Sequence, residues 1–340
     1  MSGRHGLPGR RERASPSLKG ARARAVRAIV NGRPTTTGAT QVALAAVARS
    51  AGGALDELLC CHFDKLAEEL RAACGGDGSG SATRLNNYLK KSAGLPPSDR
   101  VRRAAIASLA IAMSARPPAR PLPISIEALY PRTFQVLAEY LANSAVYDPD
   151  CYAKDARFVA GVTVPAGAQL VDLQFADGWG SDLRSLLRHV AMIGRLSLAG
   201  DARGAAMLCR PESWNNWLEI HTDQRNLEDF NEGGWDDCYR RIADILRGRS
   251  ELAGLWGASW FYDPQLLEIS PRLAYLQERP LERGAVMVRL RGGAIHAQRA
   301  AQTSPTRTSL IAAGRYRPIC YAMFWPRREL LAWASGPPSS

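Results

Sequence analysis

The hydrophobic pattern changes its period near residue 150, and that change constrains the fold more than any single motif. Before it, apolar residues recur at three- and four-residue spacing, as in Leu55, Leu58, Leu59, Phe63, Leu66 and Leu70, the mark of helices with one buried face. After it, short strand-like runs appear, and all eight tryptophans lie at or beyond Trp179. The expected fold class is therefore α+β: a small helical domain over 38–148, then a mixed-sheet α/β domain over 149–335. A chain of 340 residues can fill both cores.

Within the first part the spacing predicts helices over 38–73, broken at Gly52 and Gly53, over 83–92, 98–115 and 125–145. The glycine- and serine-rich segment 75–81 reads as a flexible break, and the proline-rich 117–123 as a stiff connector. In the second part strands are expected over 157–164 and 169–175, turning at Pro165, Ala166 and Gly167. Further strands are expected over 217–222, 252–262, 285–291 and 319–324. A helix over 235–247 carries one apolar stripe, and a second is expected over 306–314. Asp263 and Pro264 have the chemistry of a helix start, while Trp260 and Tyr262 would share a strand face and could form an aromatic wall.

The net charge of +12 is concentrated at the N-terminus: residues 1–40 hold nine Lys/Arg against Glu12 alone. Residues 1–37 are expected to be a disordered basic tail, with non-specific contact to polyanions as its functional reading. Arg10 and Arg11 form a twin arginine, but no apolar run follows, so export is not expected. The Arg-rich, acid-poor start also resembles an organelle transit peptide. The longest apolar stretch, 104–115, is about half a membrane span and predicts a buried helix, hence no membrane partner. Seven scattered cysteines without a C-x-x-C predict reduced thiols and a cytoplasmic setting. Cys60, Cys61 and His62 lack a second ligand pair, and core filling is the expectation for these cysteines.

Two constellations could carry chemistry. In a strand over 217–223, period two puts Leu218 and Ile220 on the core face and Glu219, His221 and Asp223 on the other. Side chains at i and i+2 on one strand face can share a metal ion, with His296 available as a third ligand and Arg307, Thr308 and Ser309 farther on. This order, His-x-Asp, a distal His and then Arg-x-Ser, resembles that of Fe(II)/2-oxoglutarate oxygenases, most of all the phytanoyl-CoA dioxygenase group. The resemblance implies that His221, Asp223 and His296 bind Fe(II). It implies too that Arg307, with Ser309 beside it, holds 2-oxoglutarate, and that a small-molecule substrate is hydroxylated, with Glu219 as a catalytic group on the same face. Such a site needs a strand over 285–297 ending at His296.

The second constellation, Arg289-x-x-Gly292-x-Ala294, resembles the phosphate-binding loop of GNAT-type acyltransferases, where a strand runs into a helix whose free N–H groups hold the pyrophosphate of acyl-CoA. That resemblance implies a helix opening at Gly292–Ala294 and no convergence of histidines. It also implies a helix, a strand and a second helix after the loop, against about twenty residues between Ala294 and Gly314. A non-enzymatic binding protein, using the Trp-rich face or the tail, is the third expectation. The segment from Ser259 to Leu273 is also similar to stretches in a group of proteobacterial proteins from which no activity carries over.

Overall fold

The computed structural model describes residues 38–73, 80–116, 121–173 and 183–336, apart from 215, 224, 226 and 303. The basic tail, most of 75–81 and the first part of 117–123 lie outside the described residues. The helical part comprises α1 (Gly38–Arg49), α2 (Gly53–Cys61), α3 (Phe63–Ala72), α4 (Gly80–Ser92), α5 (Asp99–Ser114), α6 (Ile124–Glu127), α7 (Tyr130–Asn143) and α8 (Pro149–Val159). Next come β1 (Thr163–Pro165), β2 (Gln169–Asp172), α9 (Leu183–Leu198), α10 (Ala202–Leu208), β3 (Asn216–Thr222), α11 (Glu232–Arg247) and β4 (Leu252–Ser259). The chain ends with α12 (Gln265–Ile269), α13 (Tyr275–Glu282), β5 (Val286–Gly292), α14 (Ala294–Ala301), α15 (Pro305–Ala312), β6 (Ile319–Pro326) and α16 (Arg327–Ala334). The α+β class holds, and no described helix is long and apolar enough to cross a membrane.

Helix boundaries follow local chemistry. Gly52, at φ 109°, separates α1 from α2 in a conformation that a side chain would resist. Ser98 caps α5, whose run from Ala104 to Ala110 is buried on every side. Asp148 caps α8 by accepting from Asp150 and Cys151, with Pro149 in the first turn. Residues 157–159, expected in a strand, end this helix instead: a good cap, the helix-forming Ala153 to Ala156 and an internal Asp150–Lys154 pair outweigh the β propensity of Phe158 and Val159. The stretch 260–262 departs similarly. Trp260, Phe261 and Tyr262 form a 3₁₀ turn packed inside the core, so they line no substrate wall. Cys61 and His62 are exposed at the end of α2, and His62 meets the Tyr88 hydroxyl at 2.9 Å; they fill no core.

The six strands form one sheet in the order β1-β2-β3-β4-β6-β5. Every neighbouring pair is antiparallel except β3 and β4, which run parallel and are joined through α11. One sheet face, with Leu218, Ile220, Leu255, Met323 and Trp325, shares a continuous buried cluster with α11 and the N-terminal helices. The opposite face carries Trp217, Val286, Val288, Ala322 and Phe324 in a smaller cluster closed by α9 and α10. That second cluster covers only part of its face, and the half-open remainder holds the polar site.

Candidate functional site

Alternation along β3 puts Glu219 and His221 on the partly covered face, as strand geometry requires. The antiparallel register adds Asp172, which lies directly opposite Glu219. His221 Nε2 is 3.1 Å from Asp172 Oδ2 and 3.9 Å from Glu219 Oε1. Along the same row, Glu219 pairs with Trp256 and Trp256 with Phe324, and those two rings stack at 6.2 Å. A carboxylate–imidazole–carboxylate group therefore stands beside an aromatic shelf.

Helix α8 supplies the cations beneath it. Asp150, Lys154 and Arg157 recur at four and three residues, on one helix face. Lys154 Nζ reaches Asp150 at 2.6 Å and donates to the Thr222 carbonyl at 2.8 Å, tying α8 to the end of β3. Arg157 forms a buried ion pair with Asp172, whose other oxygen accepts from the Thr163 hydroxyl. Burial pushes the His221 pKa down to about 4, with Arg157 and Lys154 working the same way against Glu219 and Asp150. The ring is thus neutral near pH 7. With Asp172 accepting from Nε2–H, the bonding pattern leaves Nδ1 as the basic nitrogen.

The other residues of the oxygenase pattern go elsewhere. Asp223 follows the last residue of β3, is buried, and binds Arg225 at 2.9 and 3.0 Å. His296 is half-buried in α14, in a segment that is helical where the iron site needs a strand. Ala294 to Ala301 is rich in helix formers, and the helix starts directly after β5, with Gly292 the last strand residue and Gly293 the N-cap. Arg307 is buried in α15: its Nε donates to the Ala300 carbonyl at 2.7 Å, one amino group meets Ser270 Oγ at 3.2 Å, and its guanidinium lies over Trp260. Ser309 is exposed on that helix while Arg307 faces the core.

Among the described residues, the one set of His, Cys, Asp and Glu side chains whose ligand atoms lie within 4.8 Å of one another is Asp172, Glu219 and His221. It shares only His221 with the predicted iron ligands. A divalent cation is a poor fit there, because Asp172 is already neutralised by Arg157 and a metal would face that guanidinium at close range. The arrangement suits proton transfer better: a neutral imidazole held by one carboxylate, with a second carboxylate beside it.

Beside this group the sheet opens. β3 and β4 hydrogen-bond only from Asn216 with Leu252 to Glu219 with Trp256. Beyond that, β3 continues to Thr222 against β2, and β4 to Ser259 against β6. Ile220 still touches Gly257, where an added Cβ would lie 2.3 Å from Ile220 Cγ2, whereas Ala258 is exposed. A wedge thus starts at the carboxyl ends of the parallel pair, where open α/β sheets bind ligands. Helix α11 begins at this end, capped by Asn231 on Gly234 N at 2.9 Å. Gly234 is required there, since a Cβ would lie 2.1 Å from the Asp229 carbonyl oxygen. Around this turn Arg132 pairs with Glu228 and Asp229, and Arg279 with Glu232.

Sequence reasoning found Glu219 and His221 but missed Asp172, Arg157, Thr163 and Trp256. The i, i+4, i+7 spacing of Asp150, Lys154 and Arg157 was the available signal, obscured by reading 157–164 as a strand. Asp172 and Trp256 join the site only through pairing with β3, which no local pattern encodes. No family model matches the chain, and neither the curated proteins nor the solved structures include a match to it.

Proposed function

We propose that this chain is an acyltransferase that moves an acyl group from a coenzyme A thioester to an amine of a small-molecule substrate. The observation that carries the reading is the parting of β3 from β4 beyond Glu219 and Trp256, beside a carboxylate–imidazole group and at the start of α11. The fold implied by the acyltransferase resemblance needs a helix, a strand and a second helix after its phosphate loop. The turn at Asn231–Gly234 is followed by α11, β4 and the two short helices α12 and α13, so the loop role passes from Gly292–Ala294 to this turn. The helical state of Ala294–Ala301 and the separation of His296 from His221 and Asp223 favour this reading over the iron oxygenase.

The chemistry asked of the chain is modest. An amine nitrogen bonds to the thioester carbonyl carbon, the C–S bond breaks, and the thiolate leaves with the electron pair. The amine proton needs an acceptor, and Glu219 is the candidate base, with neutral His221 to relay or orient. The first-turn N–H groups of Glu232 and Gly233, which have no intrahelical partner, would meet the pyrophosphate.

Thermal shift separates the readings. Acetyl-CoA or coenzyme A at about a hundredfold over Kd should stabilise by about 2.7 kcal/mol, visible as a rise in Tm. An unmoved Tm with either, alongside a rise with Fe(II) plus 2-oxoglutarate that His221→Ala abolishes, would reverse the assignment.

A further inference from the structure

The tail is not the only basic part of this chain. Residues 283–328 contain nine arginines and no lysine, aspartate or glutamate, whereas residues 41–282 hold 30 acidic against 26 basic side chains. The structure gathers four of these arginines at one corner. Arg289 lies on β5, the edge strand of the sheet, and Arg291 follows within the bulge that interrupts the pairing between Arg289 and Gly292. Gly292 pairs with Ile319 and lies against the Pro318 carbonyl, which brings the loop carrying Arg315 and Arg317 alongside the end of β5. All four are exposed.

Among the described residues none of the four has a carboxylate to answer its charge, although Arg289 shares a hydrogen bond with the Tyr321 hydroxyl. Arg103, Arg116, Arg132, Arg157, Arg225 and Arg279 each sit within 4 Å of a carboxylate. Among the described residues no ion pair involves Arg289, Arg291, Arg315 or Arg317. Like charges brought together without a counter-charge repel, and the arrangement is relieved by an anion. Clustered guanidinium groups suit phosphate, whose oxygens the guanidinium fork meets two at a time. Side chains two apart on a strand are about 6.6 Å apart, and strands lie about 4.8 Å apart, which suits a row of phosphates rather than one. Half-buried Tyr321 pairs with Arg289 across the strands and adds an aromatic surface.

From this corner we infer that the chain binds single-stranded nucleic acid, with Arg289, Arg291, Arg315 and Arg317 on successive phosphates and Tyr321 beside a base. This contact is independent of the acyltransferase site and adds to whatever the tail contributes.

The test is fluorescence anisotropy of the full chain with a short labelled single-stranded oligonucleotide over a series of salt concentrations. Four phosphate contacts contribute about −3 to the slope of log K against log salt on a single strand. Replacing Arg289, Arg291, Arg315 and Arg317 together by Gln should weaken binding at least about tenfold at low salt and flatten the slope by about that amount. Should the fourfold variant misfold, Arg315→Glu with Arg317→Glu, confined to a loop, keeps the question open to a decision: weaker binding at unchanged Tm supports the site. Unchanged affinity and slope in a folded variant would overturn it, leaving the tail as the only contact. Binding to anionic vesicles or polyglutamate but not the oligonucleotide would overturn it as well. So would self-association of the variant with oligonucleotide binding intact, since the arginines would then only guard an open sheet edge.

Discussion

His221 and Asp223 stand two residues apart at the end of β3 yet belong to different regions of the molecule. His221 looks onto the half-open sheet face, where Asp172 and Glu219 surround it and some of its surface meets solvent. Asp223, just past the strand end, turns inward to Arg225, which also binds Asp155 at 2.8 and 3.1 Å. Tyr147 donates to that same Asp155 at 2.8 Å, and the Arg225 guanidinium lies 5.2 Å from the Tyr140 ring centre. Burial raises the pKa of Asp155 against the pull of Arg225. Burial also works against the charge on Arg225, but Asp155 and Asp223 more than offset it and raise its pKa well above the usual value. The inner network is closed, with every charge answered by another, and it joins α8 to the end of β3. The outer group leaves an imidazole nitrogen and a carboxylate available. Closure marks a structural role and availability a chemical one.

That contrast can be broken at four points. The largest effect belongs to Arg225→Ala, which strands two buried carboxylates; about 3–5 kcal/mol of stability should be lost in urea unfolding. A loss below about 1 kcal/mol would mean the network is solvated and the contrast false. Next, Glu219→Gln should lower kcat/KM for acyl transfer by about a hundredfold or more while moving stability by less than about 1 kcal/mol. A large fall in stability with full activity would make the outer group structural too.

The third effect is linked to pH. His221 is depressed from 6.5 to about 4 in the folded state, so between those values the unfolded chain binds the extra proton. Its contribution is fully present above pH 6.5 and declines as pH falls towards about 4, by up to about 3 kcal/mol. His221→Gln should flatten that part of the stability profile, and an NMR titration with an ordinary imidazole midpoint would remove its basis. Smallest is Arg132→Ala, which loses exposed pairs to Glu228 and Asp229; a double-mutant cycle should give about 0.2–1 kcal/mol.

The elements were more legible than the site. Helical spacing located α1 to α5 and α11, and the runs at 217–222, 285–291 and 319–324 are strands within a residue or two. The failures fall where local and tertiary preferences compete. The Phe158–Val159 run ended a capped helix, and the aromatic run from Trp260 turned inward because burying three rings outweighs extending β4. At the site, Glu219 and His221 were readable because alternation is local. Asp223 was assigned to the same set because its periodicity was extended one residue past the strand end.

The strand carrying Glu219 and His221, the class of the fold and the helical character of 294–301 were determined by the sequence alone, since each rests on spacing and propensity over a few residues. The tertiary structure alone decided which partners His221 has, that β3 and β4 run parallel and then part, and that arginines without a carboxylate partner meet at one corner. Those facts depend on pairing between segments roughly 30–70 residues apart, where a register shift of one residue would turn every side chain to the opposite face.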